Sequence, residues 1–346
     1  MNKFPRISVV VPVRNEEKFI KKCLDSIIAS DYPKDRLELF VVDGMSDDRT
    51  RDIVRNYEEK YYFITLLDNR NKITPAALNI GIEHSKSDIV IRMDAHARYE
   101  KDYISKCVHY LEKYDVDNVG GICVTLPGAR TVIAESIAIA LSHPFGIGNA
   151  YFRIGSKKAK HVDTVPFGCF KRDVFEKIGL FDEDLVRNQD DELNFRIIKN
   201  GGKILLVPSI VSYYYARDSL LTLWRMYYQY GYFKPLVARK VGSVLTWRQL
   251  IPSLFIASLI ISGGLSFIVQ NSIWLFCSII ISYLFSNGAL SFSIALNKGS
   301  KYIFTLPVVF STIHFSYGTG YLKGIMRFMI FKKQKYENFV NISLSR

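Results

Sequence analysis

Ile89-Val90-Ile91-Arg92-Met93-Asp94-Ala95-His96 is the stretch around which the chain is organised. A short β-branched run that ends in an acid and then an imidazole reads as a buried parallel strand. Its metal-binding side chains sit at the carboxyl end. Ile7–Val13 is a strand by β-branched density, and Arg14 to Glu17 form the turn after it. Phe19, Ile20, Cys23, Leu24, Ile27 and Ile28 recur at helical spacing, which predicts an amphipathic helix over 17–30. A second strand (37–42) ends in Asp43 and is followed by a helix over 49–59. A third strand (64–67) leads to a helix opened by Thr74 and Pro75, which carries Asn79 towards a nucleotide. This alternation predicts an α/β domain with a Rossmann-like, mostly parallel sheet, whose ligand lies beyond the carboxyl ends of the strands. Asp43 stands at one such end, where a carboxylate can accept hydrogen bonds from a uracil imide or a ribose hydroxyl. The alternative is an Asp that opens the next turn or caps a helix.

Charge separates the chain into two parts. The formal charge is +13 over 346 residues, yet Ser219 to Tyr336 holds twelve Lys or Arg and no acid, leaving 34 basic against 33 acidic residues elsewhere. That distribution argues against a nucleic-acid partner, because the excess accompanies apolar runs and does not line a surface. No charged residue occurs from Gln249 to Asn297, and about 20 apolar residues span a bilayer. The five cysteines are scattered without a CxxC pair, so a reducing compartment and structural thiols are expected. The first apolar run is short and ends in Pro12 and charges, unlike a signal peptide, so the N-terminal part is expected to stay in the cytosol.

Five motifs, in order, carry a family resemblance: SVVVPVRNEE, VVDGMSDDRT, PAALNIGI, IVIRMDAH and FGCFKRDVFEKIGLFDEDLVRNQDDELNFRI. Together they resemble glycosyltransferase family 2, and more narrowly the bacterial exopolysaccharide enzymes of the succinoglycan-synthesis type. The resemblance implies a GT-A type domain and donor contacts from Pro12, Arg14, Glu16, Asp43, Asn79 and Asp94. A divalent cation, Mn²⁺ or Mg²⁺, would stabilise the diphosphate leaving group. The family's usual Asp-x-Asp is Asp94-Ala95-His96 here, so the metal ligands would be Asp94 and His96, and an imidazole favours manganese. Alternatively His96 binds a phosphate oxygen or simply packs. His161 is a further metal contact or a structural histidine. In Arg187-Asn188-Gln189-Asp190-Asp191-Glu192, Gln189 replaces the family's Glu, and the register makes Asp190 the catalytic base, with Asp191 next. Asp191 and Glu192 also suit a helix N-terminus.

Asn118 to Ile122 reads as a strand with glycines where a ligand or backbone approaches, and 131–151 as a mobile or partly helical segment near the acceptor. The expected organisation is a transferase domain over 1–217, an aromatic and basic interfacial helix region over 218–248, a membrane region over 249–322 and a basic cytosolic tail over 323–346. The spans fall at about 250–269 and 273–296, and 302–322 is read as re-entrant or interfacial. The whole reads as a multi-pass inner-membrane enzyme. It would move a sugar from a nucleotide diphosphate sugar, UDP by family default, to a lipid-linked saccharide with inversion. A polyprenyl-phosphate sugar synthase and a non-catalytic nucleotide-sugar-binding scaffold are the alternatives.

Overall fold

The computed structural model describes residues 4–242, 247–269 and 271–331. The strands in chain order are β1 (Ile7–Val13), β2 (Leu37–Asp43), β3 (Ile64–Asp68), β4 (Ile89–Arg92), β5 (Ala97–Tyr99), β6 (Asn118–Leu126), β7 (Lys160–His161), β8 (Cys169–Lys171) and β9 (Ile204–Tyr215). The helices are α1 (Ile20–Ile28), α2 (Thr50–Glu58), α3 (Thr74–His84), α4 (Tyr103–Lys113), α5 (Val132–Ala140), α6 (Pro144–Ile147), α7 (Tyr151–Ile154), α8 (Arg172–Ile178), α9 (Gln189–Lys199), α10 (Leu220–Val241), α11 (Ile251–Leu265), α12 (Ile273–Lys298) and α13 (Thr305–Gly324). They form two compact units. One contains the described residues to Val124 with Tyr151–Tyr215, and the other Thr125–Ala150 with the described residues from Ala216 onward.

The sheet order is β3-β2-β1-β4-β8-β6-β9-β5, with β7 on β9. β1, β2, β3 and β4 pair in parallel, as their apolar runs and intervening helices require. The expectation of a mostly parallel sheet is corrected beyond β4. β8 runs antiparallel to β4 and β6, and β5 and β7 run antiparallel to β9. The reason is connectivity: no helix-bearing crossover returns the chain to β4 in the parallel sense. Val10, Leu78, Val90, Phe170, Phe181 and Leu193 pack in the core of this unit, each side chain contributing about 1.5–3 kcal/mol by burial. The glycine signal in β6 marks backbone contact. A Cβ on Gly121 would stand 1.9 Å from the Ile210 carbonyl oxygen on β9, so only a hydrogen fits.

The second unit is helical. The 131–151 segment is partly helical, as expected, and belongs here: Ser136 bonds Thr305 at 2.6 Å, Glu135 takes Lys301 at 2.5 Å, and His314 Nε2 meets the Phe145 carbonyl at 2.7 Å. α10 and α13 approach closely, since a Cβ on Gly231 would lie 2.1 Å from the Tyr317 oxygen and one on Gly320 2.2 Å from that of Tyr228. The aromatic α10 is consequently packed within this unit, with Tyr232 and Phe233 buried and Leu221 and Trp224 exposed. Among the described residues two helices, Trp247–Leu265 and Ile273–Lys298, are long and apolar enough to cross a membrane. The third apolar segment is the continuous helix α13, whose Leu306, Val309, Phe310 and Ile313 are buried. It passes into a π-helical turn over Ile325–Ile330, and the remainder of the basic tail, 332–346, lies outside the described residues.

Candidate active site

Parallel pairing brings the carboxyl ends of β1, β2 and β4 to one edge, with Val13 opposite Asp43 and Val10 opposite Arg92. Met93 extends β4 by donating to the Val10 carbonyl at 3.0 Å, so Asp94 emerges just past the sheet. Its backbone is fixed there. The Asp94 amide donates to Tyr99 Oη at 2.6 Å, and its carbonyl accepts from Tyr99 Oη at 3.3 Å and Cys23 Sγ at 3.5 Å. Burial, reinforced by neighbouring acids, pushes the Cys23 thiol far up, so Cys23 serves as a neutral donor in a structural role.

Arg92 is the centre of the polar arrangement. Its Nε and Nη2 donate to the two oxygens of Asp94 at 2.9 and 3.2 Å, while Nη1 donates to Asp190 Oδ1. The Arg92 side chain is 11% exposed, that of Asp94 17% and that of Asp190 41%, so the Asp190 end opens to solvent. The two carboxyls are pushed in opposite directions. Burial raises Asp94, but Arg92, His96 and Arg187 together outweigh it and hold Asp94 below the usual carboxylate range. Burial raises Asp190; Arg92 opposes this, and the carboxylates of Asp94 and Asp191 add to it, leaving Asp190 raised. The two acids therefore sit in environments that push their titration apart.

Asp190 stands in the first turn of α9, which begins after Asn188 in the left-handed region at φ 63°. Its neighbour Glu192 is structural: it pairs with Arg196 at 2.6 and 2.8 Å, and Arg196 also donates to the carbonyls of Ile178 and Leu180 at the end of α8. Asp191, half-buried on the same turn, acts on Asp190 through its charge.

His96 is held from both sides. Its Nδ1 lies 3.1 Å from Glu16 Oε1, and its ring meets Tyr214 edge-on at 5.3 Å between centroids. A neutral ring that donates its Nδ1–H to Glu16 would keep a lone pair on Nε2, the tautomer a metal-ligating histidine requires. Glu16 therefore meets His96 in the site. Pro12 lies in β1 opposite Val42, and the Arg14 side chain lies over Gly44, past the end of β2. Asp43 is buried. Its oxygens accept from the Ser46 amide at 2.9 Å, Ser46 Oγ at 2.5 Å and Arg51 Nη1 at 2.7 Å, which is the turn-opening alternative. A carboxylate has about four acceptor sites, so one remains.

Asn79 requires a correction. In place of facing a nucleotide, its amide group donates to the Phe181 carbonyl at 2.9 Å and Glu183 at 3.0 Å, and its oxygen accepts from the Phe181 amide at 2.9 Å. It clamps the loop that leads to α9. His161 is also apart from the others: it sits on β7 with Nδ1 3.3 Å from the Ile204 carbonyl. Among the described residues no three His, Cys, Asp or Glu side chains form a metal cluster, so protein ligands would number two, Asp94 and His96. That set fits a divalent cation completed by substrate phosphate oxygens. Sequence reading had missed Arg92, Tyr99 and Arg187. Arg92 carried a signal, since a cation within a β-branched core run must find partners.

The profile described as Glycosyl transferase family 2 matches residues 8–179, which takes in β1 to α8 and stops short of Asp190. A Methanococcus voltae protein named dolichyl N-acetyl-alpha-D-glucosaminyl phosphate 3-beta-D-2,3-diacetamido-2,3-dideoxy-beta-D-glucuronosyltransferase is 28% identical over 330 residues, covering 93% of this chain and 97% of its own length. The succinoglycan biosynthesis protein ExoA of Rhizobium meliloti is 27% identical, covering 70% of this chain and 73% of its own. Among solved structures, the mannosyltransferase PcManGT from Pyrobaculum calidifontis, in complex with GDP-Man and Mn²⁺, superposes with a TM-score of 0.62 at 20% identity, over 94% of this chain and 88% of that one. The fold is thus shared with GT-A-like sugar transferases, and the protein is a glycosyltransferase whose residues 8–179 are a glycosyl transferase family 2 domain.

Proposed function

We propose that this enzyme transfers a single sugar from a UDP-linked donor, with inversion, to a lipid-linked saccharide at the cytoplasmic face of a membrane. The observation that carries this reading is the Arg92 fork, which holds Asp190 beside the strand end bearing Asp94. In the reaction the acceptor hydroxyl oxygen bonds to the anomeric carbon as the bond from that carbon to the diphosphate oxygen breaks. Asp190 takes the hydroxyl proton, a role worth about 10² to 10⁴ in rate, and its raised pKa strengthens it as a base. Asp94 and His96 would hold a divalent cation, which supplies charge stabilisation to the departing diphosphate. Glu16 fixes the His96 ring, and Asn79 keeps the loop before α9 in place.

A lipid-linked acceptor is supported by two features. The Methanococcus relative is named for a dolichyl-linked sugar acceptor. α11 and α12 also present Leu254, Ile260, Ile261, Trp274, Leu284 and Phe285 outward, and apolar side chains of that kind suit a bilayer. Arg248 precedes the first of these helices, Lys298 ends the second and Lys301 follows it. Both ends of a hairpin would then lie on the cytoplasmic side.

The test is release of nucleoside diphosphate by the purified protein in lipid, with UDP- and GDP-sugars, with and without Mn²⁺, beside Asp94→Ala. Lipid-linked saccharide and bare polyprenyl phosphate are offered as acceptors in parallel. Metal-dependent transfer to the saccharide, lost in Asp94→Ala, is expected. Transfer to polyprenyl phosphate alone would replace the acceptor assignment, and donor binding without release would overturn the enzymatic reading of this site.

A further inference from the structure

Arg92 has an unusual place for an arginine. It lies in β4, a strand otherwise apolar, between partners β1 and β8, and its own amide donates to the Gly168 carbonyl at 3.0 Å. A buried guanidinium offers five donors in a rigid plane. Three are accounted for on the two acids: Nε and Nη2 form a two-point contact with Asp94, and Nη1 points away from it to Asp190, 98 residues further along the chain. Neutralising Asp94 needs only the first pair. The third bond ties the strand end that carries the donor-side acid to the first turn of α9.

The geometry assigns Arg92 the role of a positioning residue that sets the place of the Asp190 carboxylate relative to Asp94, and so the line along which the acceptor hydroxyl meets the donor. This rests on the reading of Asp190 as the base. The bond is needed because Asp190 has few other constraints. Its side chain is 41% exposed, and the residue before its helix has no side-chain cap. A carboxylate open on one side, on a first turn, samples several rotamers, and a displacement of about 1 Å of a reacting group costs on the order of 10²-fold in rate. Lysine cannot substitute, because a single ammonium has no planar fork with which to hold two carboxylates in fixed register.

The experiment compares wild type, Arg92→Lys, Arg92→Met, Asp190→Asn and the double variant Arg92→Met/Asp190→Asn. For each, kcat, donor KM, donor binding by calorimetry and thermal midpoint are measured. Both Arg92 variants are expected to lose about 10²-fold in kcat with donor binding within about threefold, and lysine is expected not to rescue. The double variant should be no slower than Asp190→Asn, because Arg92 acts through Asp190. Wild-type kcat in Arg92→Lys, or a double variant slower than Asp190→Asn by the full Arg92 factor, would overturn the assignment. If Arg92→Met fails to fold because Asp94 is left unpaired, Arg92→Lys still decides, since it keeps the charge. Full activity in Asp190→Asn would remove the base itself, a failure of the proposed function that is distinct from any result at Arg92.

Discussion

The ends of β2 and β4 flank β1, and each carries an aspartate paired with an arginine, yet the two pairs do different things. At β2, Arg51 bridges Asp43 to Asp68 with both bonds at 2.7 Å, and Ser46 gives the Asp43 carboxylate two more hydrogen bonds. Every partner there lies within a few turns of chain, so the cluster closes the loop after β2 and joins it to β3. At β4, Arg92 bridges Asp94 to a residue on α9, and the far end of the bridge is open to solvent. The same ion-pair chemistry is used once to seal a corner of the fold and once to tie together two acids of the candidate site. A buried carboxylate with most of its acceptor sites taken is a structural part, whereas a partly open carboxylate with a raised pKa is open to substrate.

The largest expected effect is at the open end. Asp190→Asn should lower kcat by about 10² to 10⁴ while leaving donor affinity and thermal midpoint near wild type. The same acid sets the pH dependence. A base must be ionised to act and the site raises Asp190, so kcat should rise with pH through a midpoint above the ordinary carboxylate value of about 3.9. Asp94, held low, should stay ionised throughout that range. A kcat that falls with rising pH would contradict the base assignment. Asp43→Ala tests the sealed corner and should act on stability instead. Breaking a buried pair costs roughly 3–5 kcal/mol, and the low end applies because Arg51 keeps Asp68 and is partly solvated. A shift of several degrees in thermal midpoint, with kcat preserved in the folded fraction, would confirm the contrast. A loss of kcat without loss of stability would move Asp43 into the donor site.

The parallel half of the sheet was legible because β1, β2 and β4 are continuous β-branched runs separated by amphipathic helices, and Asp94 was legible because it ends such a run. The antiparallel half was not. β5, β7 and β8 contain three, two and three residues, too few for any period to show, and they exist by virtue of partners distant in sequence. β9 runs on through Pro208, a residue type that usually ends a strand. It pairs with β7 around Leu205 and Leu206 and with β5 around Ser212 to Tyr214, so the proline falls between the two ladders. Segment 131–151 was obscure for a similar reason, since Glu135 and Ser136 find their partners more than 160 residues away. In the site, residue types pointed to candidate residues but not to the connections among them. Asn79 was assigned to the nucleotide because it faces the right direction along α3, yet the loop at Phe181 reaches it first.

The smallest effect expected is at Glu16, where two roles can be separated. As a donor-contacting residue, the role its position after β1 implied, Glu16 would change donor KM when altered. As the carboxylate that orients His96, it acts on the imidazole alone. Glu16→Gln keeps the size of the side chain, and its amide can still accept from Nδ1 through its oxygen, so the ring is not released outright. What is lost is the negative charge that makes the imidazole a stronger ligand. Loss of a group that orients a metal-ligating histidine weakens metal binding by about 10- to 100-fold, and retention of one hydrogen bond places this variant near tenfold, about 1.4 kcal/mol. The half-saturating Mn²⁺ concentration should therefore rise about tenfold, with kcat at saturating Mn²⁺ and donor KM unchanged. His96→Ala should shift the Mn²⁺ curve further in the same direction, and Glu16→Gln added to it should then have no effect on metal, because the carboxylate has no ring left to orient. A raised donor KM at unchanged Mn²⁺ response would instead place Glu16 against the nucleotide and leave His96 held by Tyr214 alone.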